Sequence, residues 1–111
     1  MESVRQNKIG RLLQKEISDM LNTYARTIPG TLISVTTVRV SSDLSVARAY
    51  LSIFPNDRKE EIFETIKQSA KSLRFELASR TKLQLRKTPE LTFFLDDSLD
   101  YIENIDNLLQ K

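Results

Sequence analysis

Ile9, Leu12, Leu13, Ile17, Met20, Leu21 and Tyr24 recur at intervals of three and four, which gathers them on one side of a helix. Ser3 and Gln6 have the spacing of a capping box, in which hydroxyl and amide satisfy backbone donors that the first helical turn leaves free. The spacing predicts a helix from there to about Tyr24. At about 100° per residue, Arg5, Lys8, Arg11 and Lys15 fall together on a different side, so one face suits a core and another, basic face suits solvent. Ile28-Pro29-Gly30 ends the helix and turns the chain.

Two segments rich in β-branched residues follow, Leu32–Ser41 and Ser45–Phe54, joined by Ser42-Asp43-Leu44. They read as an antiparallel pair with a short turn. In the second, Ala47, Ala49, Leu51 and Ile53 alternate with Arg48, Tyr50 and Ser52, the pattern of a sheet with one buried face. The small alanines suggest a helix packed closely there. Thr36-Thr37 interrupts the alternation of the first segment and leaves its register open.

Pro55-Asn56-Asp57 stops the second strand, and Asp57 with Glu60 has capping-box spacing for a further helix. Its core stripe is Ile62, Ile66, Ala70, Leu73 and Leu77. A single straight helix over residues 57–81 would be about 37 Å long at roughly 1.5 Å per residue, whereas the strands reach only about 33 Å. Phe75 also lies off the stripe, so the pattern predicts a kink near Ser69–Arg74. Thr88-Pro89 bounds a third strand, in which Leu91, Phe93 and Leu95 alternate with Thr92 and Phe94. Asp96-Asp97-Ser98 then caps a last helix with Tyr101, Ile102, Ile105, Leu108 and Leu109 on one side. The predicted order is α-β-β-α(kinked)-β-α in a single α+β domain over residues 1–111, without internal repeats.

Composition removes most chemistry from this scaffold. The 111 residues include no His and no Cys, which excludes the usual nitrogen and sulfur ligands for zinc, the Cys nucleophile and the His general base. Only Gly10 and Gly30 are glycines, too few for a phosphate-cradling glycine loop. The acid pairs Glu60-Glu61 and Asp96-Asp97 sit where helix caps are expected, and Ser41-Ser42-Asp43 reads as a turn. No catalytic residue, cofactor or metal site is expected. No run of 18 apolar residues and no secretory start occurs, so a cytoplasmic protein is expected.

Charge adds a direction. The net +2 divides into 16 Lys and Arg against ten Asp and Glu over residues 1–95, a surplus of six, and one Lys against five acids over residues 96–111, a deficit of four. Between positions 67 and 87, Lys67, Lys71, Arg74, Arg80, Lys82, Arg86 and Lys87 face only one acid, Glu76. Lys67, Lys71 and Arg74 are spaced to line one side of the long helix and to meet the four cations that follow. A continuous row of one sign can contact successive phosphates and release counterions, so RNA is the natural partner. Arg39, Arg48 and Tyr50 are further candidate contacts. The segment typical of RRM domains, a K/R-G-F/Y motif with stacking aromatics, is absent.

The segment Val40-Ser-Ser-Asp-Leu44, leading into Ala47-Arg-Ala-Tyr-Leu-Ser-Ile-Phe54 and followed by Leu85-Arg86 and Pro89-Glu-Leu-Thr-Phe-Phe-Leu-Asp-Asp-Ser98, resembles the bacterial ribosome-binding factor A family over nearly the whole chain. The resemblance implies a type II KH-like fold with the helices on one face of a three-stranded sheet. It implies a monomeric, non-enzymatic factor that binds the small ribosomal subunit and its rRNA late in maturation, supports processing of the rRNA 5′ end and matters most in the cold. The family replaces the nucleotide-clamping GxxG loop of KH domains with a kink carrying an Ala-x-Gly motif, and the corresponding stretch here is Ser69-Ala70-Lys71, which lacks the glycine. Taken with the charge pattern, the candidate RNA-binding residues are Arg5, Lys8, Arg11, Arg39, Arg48, Lys67, Lys71, Arg74, Arg80, Lys82, Arg86 and Lys87. The alternative is a protein-interaction module that docks a basic partner through its acidic last helix.

Overall fold

A computed structural model describes residues 4–54 and 56–96. Ser3 of the first capping box, Pro55, and the predicted last helix with Asp97 and Ser98 at its cap lie outside the described residues. Strands β1 (Leu32–Val40) and β2 (Val46–Phe54) pair antiparallel, and β3 (Glu90–Leu95) joins β2 in parallel, giving the order β1-β2-β3. The register passes from Val35 opposite Leu51 to Thr37 opposite Tyr50, so Thr36 is an extra residue in β1. That bulge is why the alternation breaks: Ile33 and Val35 are buried before it, Val38 and Val40 after it.

Helix α1 (Val4–Ala25) buries Ile9, Leu13, Ile17, Met20 and Leu21, close to the predicted stripe, and lies along β1 in the opposite direction. A row of three residues one turn apart makes the contact. Gln6 Nε2 donates to the Val40 carbonyl at 3.0 Å and Gln14 Nε2 to the Val35 carbonyl at 3.1 Å. Between them, a Cβ on Gly10 would stand only 3.1 Å from the Val38 carbonyl oxygen. Four helical residues advance about 6 Å and two strand residues about 6.6 Å, so the two rows stay in step from Val40 to Val38. The next interval on the strand is three residues, and the Thr36 bulge absorbs the odd one. Ala47 and Ala49, where a close helix was expected, are fully buried, but the tightest backbone approach falls one strand over, at Gly10.

The long helical segment is two helices, α2 (Lys59–Gln68) and α3 (Ala70–Thr81), broken at Ser69, the start of the stretch where a kink is predicted. Ser69 sits at φ −92°, ψ 7°, with its amide shared between the Thr65 and Ile66 carbonyls and its hydroxyl donating to the Thr65 carbonyl at 3.0 Å. A negative φ is open to any L residue, so this break needs no glycine. Ile62, Ile66 and Leu77 are buried and Ala70 and Leu73 half-buried against the core, whereas Phe75 is 80% exposed. The predicted capping box at Asp57 and Glu60 does not form. Residues Asn56–Arg58 make a tighter 3-10 turn that places Asp57 inside it, and Arg58 precedes α2 with no side-chain cap.

The β1–β2 turn is held by one carboxylate. Asp43 Oδ1 accepts from the Ser41 hydroxyl at 2.7 Å, the Ser45 hydroxyl at 2.8 Å and the Ser45 amide at 3.1 Å. Leu44 beside it adopts φ 63°, a left-handed conformation that costs a leucine roughly 1–2 kcal/mol and that these bonds help to hold. They lower the Asp43 pKa from 3.8 to about 2, the Ser41 hydroxyl contributing most.

Two outcomes test this account. Gly10→Leu should lower unfolding stability by about 1–3 kcal/mol, because the Val38 backbone cannot retreat as a side-chain tip can, and Gly10→Ala should be much milder because its gain in helix propensity offsets a tight contact; urea denaturation measures both. A depressed carboxylate pKa contributes stability above its unfolded value that is lost as pH falls through the folded one. Carbon-detected NMR should therefore place the Asp43 midpoint near 2, and Ser41→Ala should move it upward.

Candidate nucleic-acid interface

The antiparallel lie of α1 on β1 brings the helix start to the β1–β2 turn, and the loop from α3 to β3 returns to the same end. Leu85 is half-buried and Pro89 buried in that loop, and Arg74 pins it by donating from Nη2 to the Thr88 carbonyl at 2.8 Å. The result is a shallow concavity of about 490 Å³ whose cationic walls are Arg5 and Lys8 from α1 and Arg86 and Lys87 from the loop, over an apolar floor that includes Ile9, Leu44 and Leu85. Asp43 is the acid among the lining residues, and its carboxylate is already engaged by the turn serines. Four cations around one hollow, drawn from segments about 80 positions apart in sequence, form an electrostatic seat for phosphate oxygens.

Arg11 and Arg39 line a second concavity, of about 320 Å³, beside the α1–β1 contact, with Asn7 and Gln14. Arg39 stands directly across from Arg48 on the neighbouring strand, and both are exposed. Two steps along β2, the Tyr50 ring stacks on Phe94 of β3 with centroids 5.3 Å apart and an interplanar angle of 22°. These positions lie on the sheet face opposite the one that carries Ala47, Ala49, Leu51 and Phe93 into the core.

The row of cations predicted along the long helix is divided and partly committed elsewhere. Lys67 and Lys71 fall on opposite sides of the Ser69 break. Lys67 pairs with Glu64 at 3.1 Å and sits 5.3 Å from the Phe63 ring centroid; Lys71 and Lys82 are exposed. Arg74 is half-buried and donates from Nη2 to the Thr88 carbonyl, which fixes the loop. Arg80 reaches Asp19 at 2.7 Å, Glu76 at 3.0 Å and Glu16 at 3.6 Å, clasping α3 to α1. Its bond to Asp19, with Glu76 adding to it, holds the guanidinium protonated more firmly still. Three acids around Arg80 leave little net positive field there for a phosphate. Helical spacing can place Glu64 beside Lys67 and Glu76 beside Arg80, but not Asp19 beside Arg80 or the Thr88 carbonyl beside Arg74, which lie 61 and 14 positions away. The Tyr50–Phe94 stack was missed for the same reason: it depends on the parallel register of β2 and β3.

The ribosome-binding factor A family model matches residues 5–109 of this chain. The ribosome-binding factor A of Flavobacterium psychrophilum is 50% identical over 111 residues, covering 98% of this chain and 85% of that protein, and that of Christiangramia forsetii is 47% identical with the same coverage. The crystal structure of ribosome-binding factor A from Thermus thermophilus superposes with a TM-score of 0.67 at 23% identity, over 81% of this chain and 94% of that one. A Thermus thermophilus homology model fitted into a cryo-electron microscopy map of a complex with the 30S subunit superposes at 0.59 with 24% identity, over 87% and 97%. The fold is thus the KH-like one of these structures, and the chain belongs to the ribosome-binding factor A family.

Proposed function

We propose that this chain binds the small ribosomal subunit by gripping rRNA phosphates in the concavity between the start of α1 and the α3–β3 loop, and that it acts there during subunit maturation. The observation that carries the reading is the convergence of Arg5, Lys8, Arg86 and Lys87 on one hollow, in a fold whose Thermus relative has been placed in a complex with the 30S subunit. Arg11 and Arg39 extend the contact along the edge of β1, and exposed Lys71 and Lys82 add to the field. Arg74 and Arg80 support the surface from behind by fixing the loop and the helix pair.

The role is one of binding, carried by a chain with no His and no Cys. Occupancy of the immature subunit by such a factor supports processing of the rRNA 5′ end by shaping the substrate that a nuclease meets. A cytoplasmic site of action follows from a ribosomal partner, and no helix among the described residues is long and apolar enough to cross a membrane.

The combined variant Arg5→Glu, Lys8→Glu and Arg86→Glu should lose co-sedimentation with free small subunits on sucrose gradients while keeping its unfolding midpoint. Removing three phosphate contacts should also flatten the slope of log affinity against log salt by about 2–3. Arg80→Met should do the reverse, costing about 1 kcal/mol of stability as expected for a partly exposed ion-pair group and leaving subunit binding within about twofold. Retained co-sedimentation of the triple variant at ordinary salt overturns the assigned surface. In cells, that variant should accumulate precursor rRNA extended at its 5′ end, which primer extension reads.

A further inference from the structure

Among the described residues the helices cover one face of the sheet, and the other carries side chains that the phosphate-gripping concavity does not use. At its middle Tyr50 and Phe94 stack on each other across β2 and β3, and Phe94 is 39% exposed. Arg48 stands two residues before Tyr50 on the same face, exposed and without an ion pair or hydrogen bond among the described residues. Hydroxyls frame the group: Thr92 pairs with Arg48 across β2 and β3, and Thr37 pairs with Tyr50 across β1 and β2. At the far end Leu32 and Phe54 pair and are 67% and 62% exposed.

Each of these groups is ordinary alone. Together they match what a single-stranded nucleic acid presents: flat bases that stack on aromatic rings, a charged backbone for guanidinium, and polar edges for hydroxyls. Here an arginine and two hydroxyls surround the aromatic pair at the centre of the face, with the Leu32–Phe54 pair at its margin, so a ring face and a guanidinium stand where one base and its phosphate would meet them. We propose that the open face of the sheet is a stacking platform for a single-stranded RNA segment, a base extending the Tyr50–Phe94 stack and the adjoining phosphate meeting Arg48. The platform rests on the ribosomal reading above and adds a second, chemically different contact to it. The concavity holds backbone phosphate without regard to sequence, and the platform takes an unpaired base, so the chain would engage rRNA where a single strand leaves a helical region.

The probe is a fluorescein-labelled single-stranded oligouridylate, titrated into the full chain and read by anisotropy, followed by ultraviolet cross-linking and peptide mapping. The double variant Tyr50→Leu with Phe94→Leu should weaken binding about tenfold, the size expected for losing one stacked base, while Tyr50→Phe with Phe94→Tyr should bind as the parent does. If the double leucine variant does not fold, Phe94→Leu alone carries the comparison. Cross-links should map to the peptides holding Tyr50 or Phe94, and should persist there in the Arg5, Lys8 and Arg86 charge-reversed variant. Parent-like affinity of the leucine variant, or cross-links confined to residues 5–11 and 82–89, overturns the platform. The two readings fail separately: a chain that co-sediments with small subunits but shows no aromatic dependence loses only the platform, and one that cross-links through Tyr50 or Phe94 without binding subunits loses only the ribosomal reading.

Discussion

The arrangement depends on how closely α1 can lie against the edge strand β1. Gln6, Gly10 and Gln14 form one row along the helix, and the carbonyls of Val40, Val38 and Val35 form the row they meet. An edge strand exposes unpaired carbonyls that would otherwise bond water or another chain. The two glutamine amides satisfy the outer pair, and the missing side chain at Gly10 lets the helix backbone come down between them. A side chain larger than a methyl there would lift α1 off the strand and lengthen both glutamine bonds together. The Thr36 bulge belongs to the same constraint, since without the extra residue the Val35 carbonyl would fall out of step with Gln14.

From this contact the rest follows by geometry. With α1 fixed over β1, its first turns stand beside the β1–β2 turn, and the loop after α3 must pass the same end to start β3 parallel to β2. That is how Arg5 and Lys8 come to face Arg86 and Lys87. Among the described residues the helices lie over one face, and on the opposite face Arg48, Tyr50 and Phe94 are exposed or half-exposed. Thr36 ties that face together, its hydroxyl bonding the Asp96 carboxylate at 2.6 Å and the Tyr50 carbonyl at 3.2 Å. Bulge, central strand and the end of β3 thereby share one polar clasp.

Apolar periodicity carried the fold: the stripes of α1 and α2–α3, the alternation of β2 and the break near Ser69 are all consequences of burying one side of each element. What it could not carry is polar and long-range. Gln6 reads locally as a cap, and its amide bond runs to a carbonyl 34 residues away. Gly10 enters a composition count as a missing phosphate loop, and acts instead as a helix-to-strand contact. Asp57 has the spacing of a cap, yet the chain tightens into a 3-10 turn before α2 begins. The kink itself forms at Ser69, at the Ala position of the family's Ala-x-Gly motif, where a negative φ suits any L residue and the hydroxyl bonds back to Thr65.

The candidate site was legible as a surplus of charge and illegible as a surface, because counting cations does not subtract those already spent. Of the seven between positions 67 and 87, Lys67 answers Glu64, Arg74 answers a backbone carbonyl and Arg80 answers three carboxylates. One guanidinium among Asp19, Glu76 and Glu16 leaves that cluster with no net positive charge, so it does not draw a distant phosphate. The hollow at the end of the molecule keeps a positive surplus because four cations line it against one acid, Asp43, whose charge the turn's hydroxyls and amide hold in place on the turn. The turn serines thus do two jobs: they help to hold Leu44 in its unusual conformation, and they tie one oxygen of the Asp43 carboxylate to its own turn, where four cations still outnumber its single charge.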